Sequence, residues 1–362
     1  MINRDFANQR LHNQHISRAT FEEPQDVVTS LGALQGQDYL GALWAIGLRM
    51  RQATQSDIER AIADGSIVRT WPMRGTLHFI ASSDIRWLLK LMEPRTIAST
   101  ASRHRQLELD KATLTKSNKV LVRALEGGKQ RTRPELAAAL ERAGISTVNY
   151  RMSHILHHAS ILRLICFGPR RGKQLTFTLF DEWVPADKET ERNEALAELT
   201  RRYFTSHGPA TLQDFIWWSG LTTADARAGL EMIKPQFIHE VFGGQTYWLP
   251  QRARIRKDAP SKAYLLPPFD EYTVAYKDRS AVLDPAYGKL MNVGYGIFKP
   301  VVVVEGEIAG IWKREFRKNS LVIEVSLFNP LPEADQQRIV VAADRYAGFL
   351  GLPAKVSFNR AL

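Results

Sequence analysis

A pattern of three helices followed by two strands occurs three times along this chain, and it constrains the fold more than any other feature. In the first copy, the spacing of apolar residues predicts helices over 24–34 and 39–50. A third helix is predicted over 55–62, behind a polar cap, and alternating apolar residues predict a β-hairpin over 69–80. Three helices and a hairpin in this order form a winged helix, so the repeat predicts three tandem winged-helix units.

The second and third copies follow the same order. Their predicted elements are helices over 118–125, 132–140, 150–159, from 194, 211–221 and 223–230, and strands over 175–180, 237–241 and 246–249. The clearest local signal is Thr132, which is followed by Pro134 and then by Glu135. A hydroxyl cap, a proline in the first turn and a glutamate three residues after the cap are typical of a helix start. Trp217 and Trp218, on the 211–221 helix, are interpreted as core aromatics.

The pattern of elements changes near residue 262, where the chain becomes rich in strands. Strands are predicted over 301–304, 307–312 and 321–325, and a helix over 333–350. The predicted fold class is therefore α+β, with three tandem winged-helix domains followed by a C-terminal β-rich domain. The predicted domains are 1–100, 101–190, 191–255 and 256–362, and the loose basic stretch 252–260 supports the last boundary.

The charge balance points to a polyanionic partner. The 49 Lys and Arg residues outnumber the 38 Asp and Glu residues, which gives a net charge of +11. Nucleic acid is the first partner to consider for such a surface. The single cysteine, Cys166, lies in an apolar stretch and is interpreted as a core residue. Because no long apolar segment and no N-terminal leader pattern occur, we expect a cytoplasmic protein without a membrane partner.

Several common kinds of chemistry have no motif in this sequence. No glycine-rich phosphate loop, dinucleotide fingerprint or GxSxG pattern occurs, so no cofactor is predicted. The spacing of His154, His157 and His158 on one helix would suit a metal. No HExxH pattern or nearby cysteine accompanies these histidines, so core or surface histidines are favoured and no metal is predicted.

The segment Gln35-Gly36-Gln37 lies between an apolar run and a second helix. Two glutamines one residue apart face opposite ways on a helix but the same way on an extended stretch. One interpretation is that Gly36 breaks the helix, so that both amides point at one place. The alternative is an ordinary helix C-terminus with a polar turn.

Six residues are candidates for contact with nucleic acid. They are Arg74, His78, Arg170, Arg171, Lys173 and Arg279. Arg74 and His78 would share one face of a strand and could reach phosphate, or could pair with carboxylates of their own domain. The turn at 168–173 is either a basic wing or a solvated loop. Arg279 either lines the same channel or pairs with its acidic neighbours.

Three segments give the chain a family resemblance that covers nearly its whole length. They are Leu34-Gln35-Gly36-Gln37-Asp38-Tyr39, 70–79 (TWPMRGTLHF) and 265–272 (LLPPFDEY). On these the chain resembles the bacterial winged-helix DNA glycosylases of the AlkZ and YcaQ type. The resemblance implies three winged-helix domains around a DNA-binding channel and a C-terminal β-rich domain. It also implies excision of N7-alkylated guanines, with unhooking of interstrand crosslinks by some members.

The resemblance places the catalytic residues at Gln35 and Gln37, with Gly36 where the family has an aliphatic residue. An amide cannot take a proton near neutral pH, but its carbonyl can orient water and face positive charge that develops on the sugar. Gln37 is assigned to positioning water, and Gln35 to supporting the same water or the sugar. Asp38 is a third candidate, although it could instead cap the helix that follows.

The leading hypothesis from the sequence is a monofunctional DNA glycosylase that acts as a monomer in DNA repair or in self-resistance to a DNA-alkylating natural product. Its partner would be double-stranded DNA with alkylated or crosslinked guanine, and the bound protein would lie at the nucleoid. The alternative is a non-catalytic winged-helix DNA-binding protein or transcriptional regulator. A third hypothesis is a scaffold that binds another protein, and the net positive charge disfavours it.

Overall fold

The first repeat and the helix that follows it form eight elements. The computed structural model describes residues 3–186, 189–251, 262–291, 294 and 298–359. In chain order the first elements are α1 (Arg4–Asn13), α2 (Pro24–Leu31), β1 (Leu34–Gln35), α3 (Tyr39–Arg49), α4 (Gln55–Ala63), β2 (Ile67–Met73), β3 (Thr76–Ala81) and α5 (Ile85–Gln106). The helix predicted over 24–34 ends earlier, because Gly32 adopts a left-handed φ of 81° after α2. The chain is then free to enter β1 as an extended strand.

The second repeat follows with its own helices and a small sheet. Its elements are α6 (Lys111–Leu125), β4 (Arg131–Thr132), α7 (Arg133–Arg142), α8 (Arg151–Ile161), β5 (Ile165–Phe167), β6 (Thr176–Leu179) and the short α9 (Phe180–Trp183). The predicted start of α7 is confirmed, because the Thr132 backbone N–H and hydroxyl both donate to Glu135 Oε2, at 2.6 and 2.8 Å. Cys166 is fully buried as predicted, and this burial raises the pKa of its thiol.

The third repeat and the C-terminal region complete the described chain. Their elements are α10 (Arg192–His207), α11 (Leu212–Ser219), α12 (Thr223–Ile233), β7 (Phe237–Phe242), β8 (Gln245–Pro250), β9 (Ala263–Leu266), α13 (Glu271–Val274), α14 (Gly288–Met291), β10 (Val301–Val304), β11 (Glu307–Phe316), β12 (Leu321–Leu327), α15 (Glu333–Leu350) and β13 (Ala354–Asn359). The C-terminal strands form one sheet in the order β13-β12-β11-β10-β9, in which only the β12–β13 pair is parallel. The stretch 252–260, used to predict the last domain boundary, lies outside the described residues.

The largest hydrophobic core joins the start of the chain to its end. Helices α1 to α4 contribute to the same buried cluster as the C-terminal sheet and α15. Trp44 of α3 is central to it: its ring centroid lies 5.0 Å from that of Tyr346, and its indole N–H donates to the Leu265 carbonyl at 2.7 Å. A buried tryptophan with a satisfied N–H is a strong anchor. Residues more than two hundred positions apart are therefore held together rigidly.

Two further cores lie around the other repeats. One packs α5 against α10, α11 and α12, with Tyr203 and Trp218 ring centroids 5.0 Å apart. Trp218 is buried as predicted, but the prediction for Trp217 is wrong, since its side chain is 43% exposed at the surface of α11. The last core lies within the second repeat, and Trp71 of β2 packs on it through the Phe167 ring at 5.0 Å.

Histidines line the contact between α5 and α8. The His104 ring lies 5.5 Å from that of His154 and 5.9 Å from that of His158. His157 is also on α8 and contacts the Trp71 ring edge-on, with the two ring centroids 5.8 Å apart. Among the described residues, no group of three or more His, Cys, Asp or Glu side chains has an arrangement that could hold a metal ion. In the same part of the chain, no helix is both long and apolar enough to cross a bilayer.

Candidate active site

The Gln35-Gly36-Gln37 segment leaves α2 and runs as an edge strand of a small sheet. Strand β1 pairs with β3 in the order β1-β3-β2, and Gln35 lies opposite His78. The pairing continues past β1, because the Gly36 N–H donates to the Leu77 carbonyl at 2.7 Å. The segment is therefore extended, as the first interpretation requires, but the break in the helix is at Gly32 and not at Gly36.

The two glutamines differ in their exposure. Gln35 is 7% exposed, and its side-chain amide has no hydrogen-bond partner among the described residues. Gln37 is exposed, and its Oε1 accepts a 3.3 Å hydrogen bond from the Leu77 backbone N–H. This bond orients the Gln37 carbonyl, whose oxygen has a second lone pair that can accept another hydrogen bond.

A side chain at Gly36, where the resemblance leads one to expect an aliphatic residue, would be crowded by Phe79. A Cβ built on Gly36 would lie 3.1 Å from Phe79 Cδ2, which is tighter than nearly all real contacts of this kind. The Phe79 ring is fully buried in the core beneath the strand. The Phe79 ring would have to shift by a few tenths of an ångström to accept a side chain at Gly36.

Two buried charged side chains hold the backbone of the motif. Glu271 Oε1 accepts the Gln35 N–H at 2.8 Å, and Arg69 donates to the Gly36 carbonyl from both Nε, at 3.0 Å, and Nη2, at 2.7 Å. The second Glu271 oxygen accepts the Trp218 indole N–H at 2.9 Å. Neither Glu271 nor Arg69 was among the site residues predicted from the sequence.

The segment around Glu271 connects several parts of the fold. Asp270 forms a fully buried ion pair with Arg49 of α3, with Nη1–Oδ2 and Nη2–Oδ1 distances of 2.9 Å each. The Tyr272 hydroxyl donates to the Gly306 carbonyl at 2.6 Å. Three consecutive side chains therefore tie this C-terminal segment to α3, to the motif strand and to its own sheet.

Arg74 and His78 do not share a strand face, so that prediction is wrong. Arg74 lies in the turn between β2 and β3, with a left-handed φ of 55°, because the chain reverses there. Its side chain is exposed, yet surrounding protein lowers the pKa of its guanidinium by desolvation. A Cβ on Gly220, of the third repeat, would lie 2.8 Å from Arg74 Cγ, so the two repeats meet at this side chain.

His78 is fully buried, which removes it from contact with a phosphate. Its Nδ1 lies 3.0 Å from the Thr76 carbonyl, and its Nε2 has no partner among the described residues. Burial, reinforced by the positive charge of Arg74, lowers the pKa of His78 to about 4. The ring is therefore neutral near neutral pH.

The three cationic side chains of the turn at 168–173 differ in their ion pairs and in their exposure. Arg170 pairs with Glu59 of the first repeat at 3.1 Å, and its guanidinium lies 5.0 Å from the Tyr39 ring centroid. Arg171 pairs with Glu135 at 3.1 Å and also donates to the Gln130 carbonyl. Lys173 is exposed and forms no ion pair with any described residue. The structure thus brings Arg170 near the motif, and the other two lie on the far part of the turn.

Arg279 and Asp38 are held by neighbouring groups. Arg279 donates to the Thr273 carbonyl at 2.6 Å and lies 4.6 Å from the Phe298 ring centroid. Burial lowers the pKa of Arg279 to about 10, and the nearby charge of Arg74 acts in the same direction. Asp38 occupies the N-cap position of α3 without a side-chain capping bond, and its Oδ2 lies 3.9 Å from Arg314 Nη2.

Comparison with known proteins gives the chain a family. The family model described as DNA glycosylase AlkZ-like matches residues 28–349. The chain belongs to the AlkZ-like DNA glycosylase family. The resemblance inferred from its three segments is thereby confirmed.

Individual AlkZ relatives match over almost their entire length. The chain is 28% identical over 360 residues to an interstrand DNA cross-link repair glycosylase of Streptomyces sahachiroi, covering 92% of this chain and 91% of that protein. The solved structure of Streptomyces sahachiroi DNA glycosylase AlkZ aligns with a TM-score of 0.81 and 24% identity, covering 99% of this chain and all of that one. The AlkZ-like α+β fold is therefore shared from end to end.

Proposed function

We propose that this AlkZ-like protein hydrolyses the N-glycosidic bond of cationic, N7-alkylated guanine in double-stranded DNA, and that it unhooks interstrand crosslinks joined through such guanines. The process would be DNA repair or self-resistance to a DNA-alkylating natural product. The observation that carries the proposal is a glutamine pair on a rigidly held edge strand, with one amide at the surface and the other just beneath it. Family membership supports the reaction class.

The proposed chemistry suits amide side chains. Guanine alkylated at N7 carries a positive charge and leaves as a neutral base, so no strong general acid is required. The amide oxygens of Gln37 and Gln35 would orient the attacking water and face the positive charge that develops on the sugar. We assign Gln37 to the water because its carbonyl is exposed and already oriented by the Leu77 N–H.

We further propose that the reaction is monofunctional hydrolysis, without a covalent intermediate on the enzyme. An amine nucleophile would have to reach the sugar beside the motif. In the ranges that the structure describes, no lysine hydrogen-bonds to or forms an ion pair with residues 34–39. The charged groups that touch the motif backbone are instead Arg69 and Glu271.

The three repeats are proposed to be winged-helix domains, over 1–100, 101–190 and 191–255, that form a DNA-binding channel with a C-terminal domain over 256–362. Lys173 and Arg74 are the proposed phosphate contacts with exposed side chains. The guanidiniums of Arg170, Arg171 and Arg279 are proposed to contribute mainly to the positive field, since each already has protein partners. The protein is proposed to act as a monomer at the nucleoid.

The experiment is release of the damaged base from two duplexes, one with a single N7-methylguanine and one with an interstrand crosslink between guanine N7 atoms. Abasic product is developed as strand cleavage in alkali. We expect Gln37→Ala to lower the single-turnover rate by about 10²-fold, with duplex binding kept, because a fixed dipole at the reacting centre is lost. The double variant Gln35→Ala, Gln37→Ala should be slower still.

Gln52→Ala is the matched control. Gln52 is also an exposed glutamine, and it lies beyond the other end of α3, roughly 16 Å along the helix axis. The single-turnover rate of Gln52→Ala should equal that of the wild type. Release of neither damaged base by the wild type, together with tight binding to one preferred sequence, would overturn the proposal in favour of a transcriptional regulator.

Lys173→Ala tests the proposed phosphate contacts. We expect it to weaken binding to all duplexes alike and to lower the slope of log Kd against log salt concentration by about one, because one counterion-releasing contact is lost. Arg171→Ala should change the slope less, since that guanidinium is paired with Glu135. Fluorescence anisotropy over a salt series measures both slopes. An unchanged slope for Lys173→Ala would contradict this assignment.

A further inference from the structure

The backbone of the glutamine motif is held from both edges by buried charges. Successive residues of an extended chain point their N–H and C=O groups to opposite sides. The Gln35 N–H points away from β3 and meets Glu271, whereas the Gly36 N–H and C=O point inward and meet Leu77 and Arg69. The Gln35 N–H, the Gly36 N–H and the Gly36 carbonyl therefore each have a partner.

Glu271 is suited to this task because it can accept hydrogen bonds at two oxygens. It is 1% exposed, and its oxygens accept the Gln35 N–H and the Trp218 indole N–H. His207 Nε2 lies 3.5 Å from Oε2, which is too long for a well-formed hydrogen bond. Burial raises the pKa of Glu271, but His207, His78 and the Gln35 N–H outweigh it, so the net pKa lies below its usual value.

Arg69 binds the backbone of the segment on the side opposite Glu271. It is 4% exposed, and two of its N–H groups converge on the single carbonyl oxygen of Gly36. Its guanidinium also lies 5.0 Å from the Phe167 ring centroid and 5.7 Å from that of Tyr39. Within the described ranges Arg69 forms no ion pair, so its charge is directed at the motif backbone rather than at a carboxylate.

We propose that Glu271 and Arg69 are positioning residues, which fix the Gln35–Gln37 segment so that its two amides meet the sugar and the attacking water in one geometry. The effect on the rate of base release that this inference predicts rests on the proposed glycosylase function. An amide dipole stabilises a transition state only if it is oriented before the charge develops, since reorienting it costs part of the gain. Small displacements of such a group lower the rate strongly.

Glu271→Gln is the most informative variant, because an amide of the same shape cannot replace the carboxylate. Whichever way the new amide is turned, its NH₂ group faces either the Gln35 N–H or the Trp218 indole N–H, and one donor loses its acceptor. We expect the single-turnover rate to fall about tenfold, with duplex affinity changed less than about twofold. Arg69→Met should give a similar loss, and Arg69→Lys should restore part of it.

Asp84→Asn is the matched control. Asp84 is also a buried carboxylate that accepts an indole N–H, from Trp87 at 3.2 Å, and it forms an ion pair with Arg202. It makes no hydrogen bond or ion pair with residues 34–39 in the described chain. Asp84→Asn should lower the thermal stability at least as much as Glu271→Gln does, but leave the rate of the folded protein unchanged.

A readout that is independent of activity is amide hydrogen exchange at Gln35. Glu271→Ala, which removes the acceptors of both the Gln35 N–H and the Trp218 indole N–H, should speed exchange there about tenfold or more, while exchange in the core strand β10 stays unchanged. If no lesion is released by the wild type, the proposed function fails, yet faster exchange at Gln35 still supports the positioning role of Glu271. Unchanged exchange, or a rate loss in Asp84→Asn equal to that in Glu271→Gln, overturns the inference.

Discussion

Asp270→Ala is expected to lower the free energy of unfolding by about 3–5 kcal/mol, because it leaves the charge of Arg49 buried without a partner. Both side chains are fully inaccessible to solvent, and the two charged groups meet through two hydrogen bonds of 2.9 Å. Gln14 accepts two further bonds from the Arg49 guanidinium, but it cannot neutralise the charge. The same substitution removes the acceptor of the Tyr272 N–H at the start of α13.

Urea unfolding at neutral pH measures this effect. The control is Glu22→Ala, which removes the partner of Arg51 in an ion pair whose side chains are 64% and 72% exposed. Exposed pairs of this kind contribute about 0–1 kcal/mol. The double variant Asp270→Ala, Arg49→Met should recover part of the stability, because no charge remains buried. A loss below about 1 kcal/mol for Asp270→Ala alone would contradict the assignment.

Acidification is expected to destabilise the protein by several kcal/mol between about pH 6.5 and about pH 4. Burial lowers the pKa of His78, His104 and His157 to about 4 each. In the unfolded chain these rings take up a proton near pH 6.5, whereas in the folded protein they stay neutral down to about pH 4. Stability is therefore complete above about pH 6.5 and falls by up to about 1.4 kcal/mol per pH unit for each histidine.

Charges around the histidine contact modify this loss. His154 and His158 lie against His104 and lower its pKa further, and Arg103 acts in the same direction on His154. Glu93 opposes the effect at His158. Urea unfolding at about pH 7.5 and about pH 5 gives the two stabilities. His157→Phe should reduce the difference between them, while His239→Phe, at an exposed position, should leave it unchanged. Equal stability at both pH values would exclude this explanation.

Local signals in the sequence predicted local structure well. The hydroxyl and carboxylate of Thr132 and Glu135 act on each other across one helical turn, so their sequence spacing is enough to locate the start of α7. The segment around Gly36 is extended as predicted, but the break in the helix is at Gly32 and not at Gly36. The predicted helix over 24–34 was too long, because apolar spacing alone did not show that Gly32 ends α2 and that Leu34 pairs with β3.

The partners of the candidate site could not be predicted in this way. Glu271 meets Gln35 across 236 positions of sequence, and Arg69 meets Gly36 across 33. No periodicity relates such residues, since their contact depends on how whole elements pack. The signals that existed were indirect: Arg69 is a cation in a strand of otherwise uncharged residues, and Glu271 follows two prolines and an aspartate in a segment that the resemblance had already marked.

The hydrogen bond between Gln35 and Glu271 joins two segments that the ribosome makes at different times. A ribosome releases the glutamine strand early, but the acceptor of its edge N–H is residue 271 and is translated much later. Until that segment emerges and folds against α3, a nascent chain has the glutamines without the carboxylate that fixes them. A nascent chain would therefore acquire the complete arrangement around the glutamines only after the C-terminal segment has been translated.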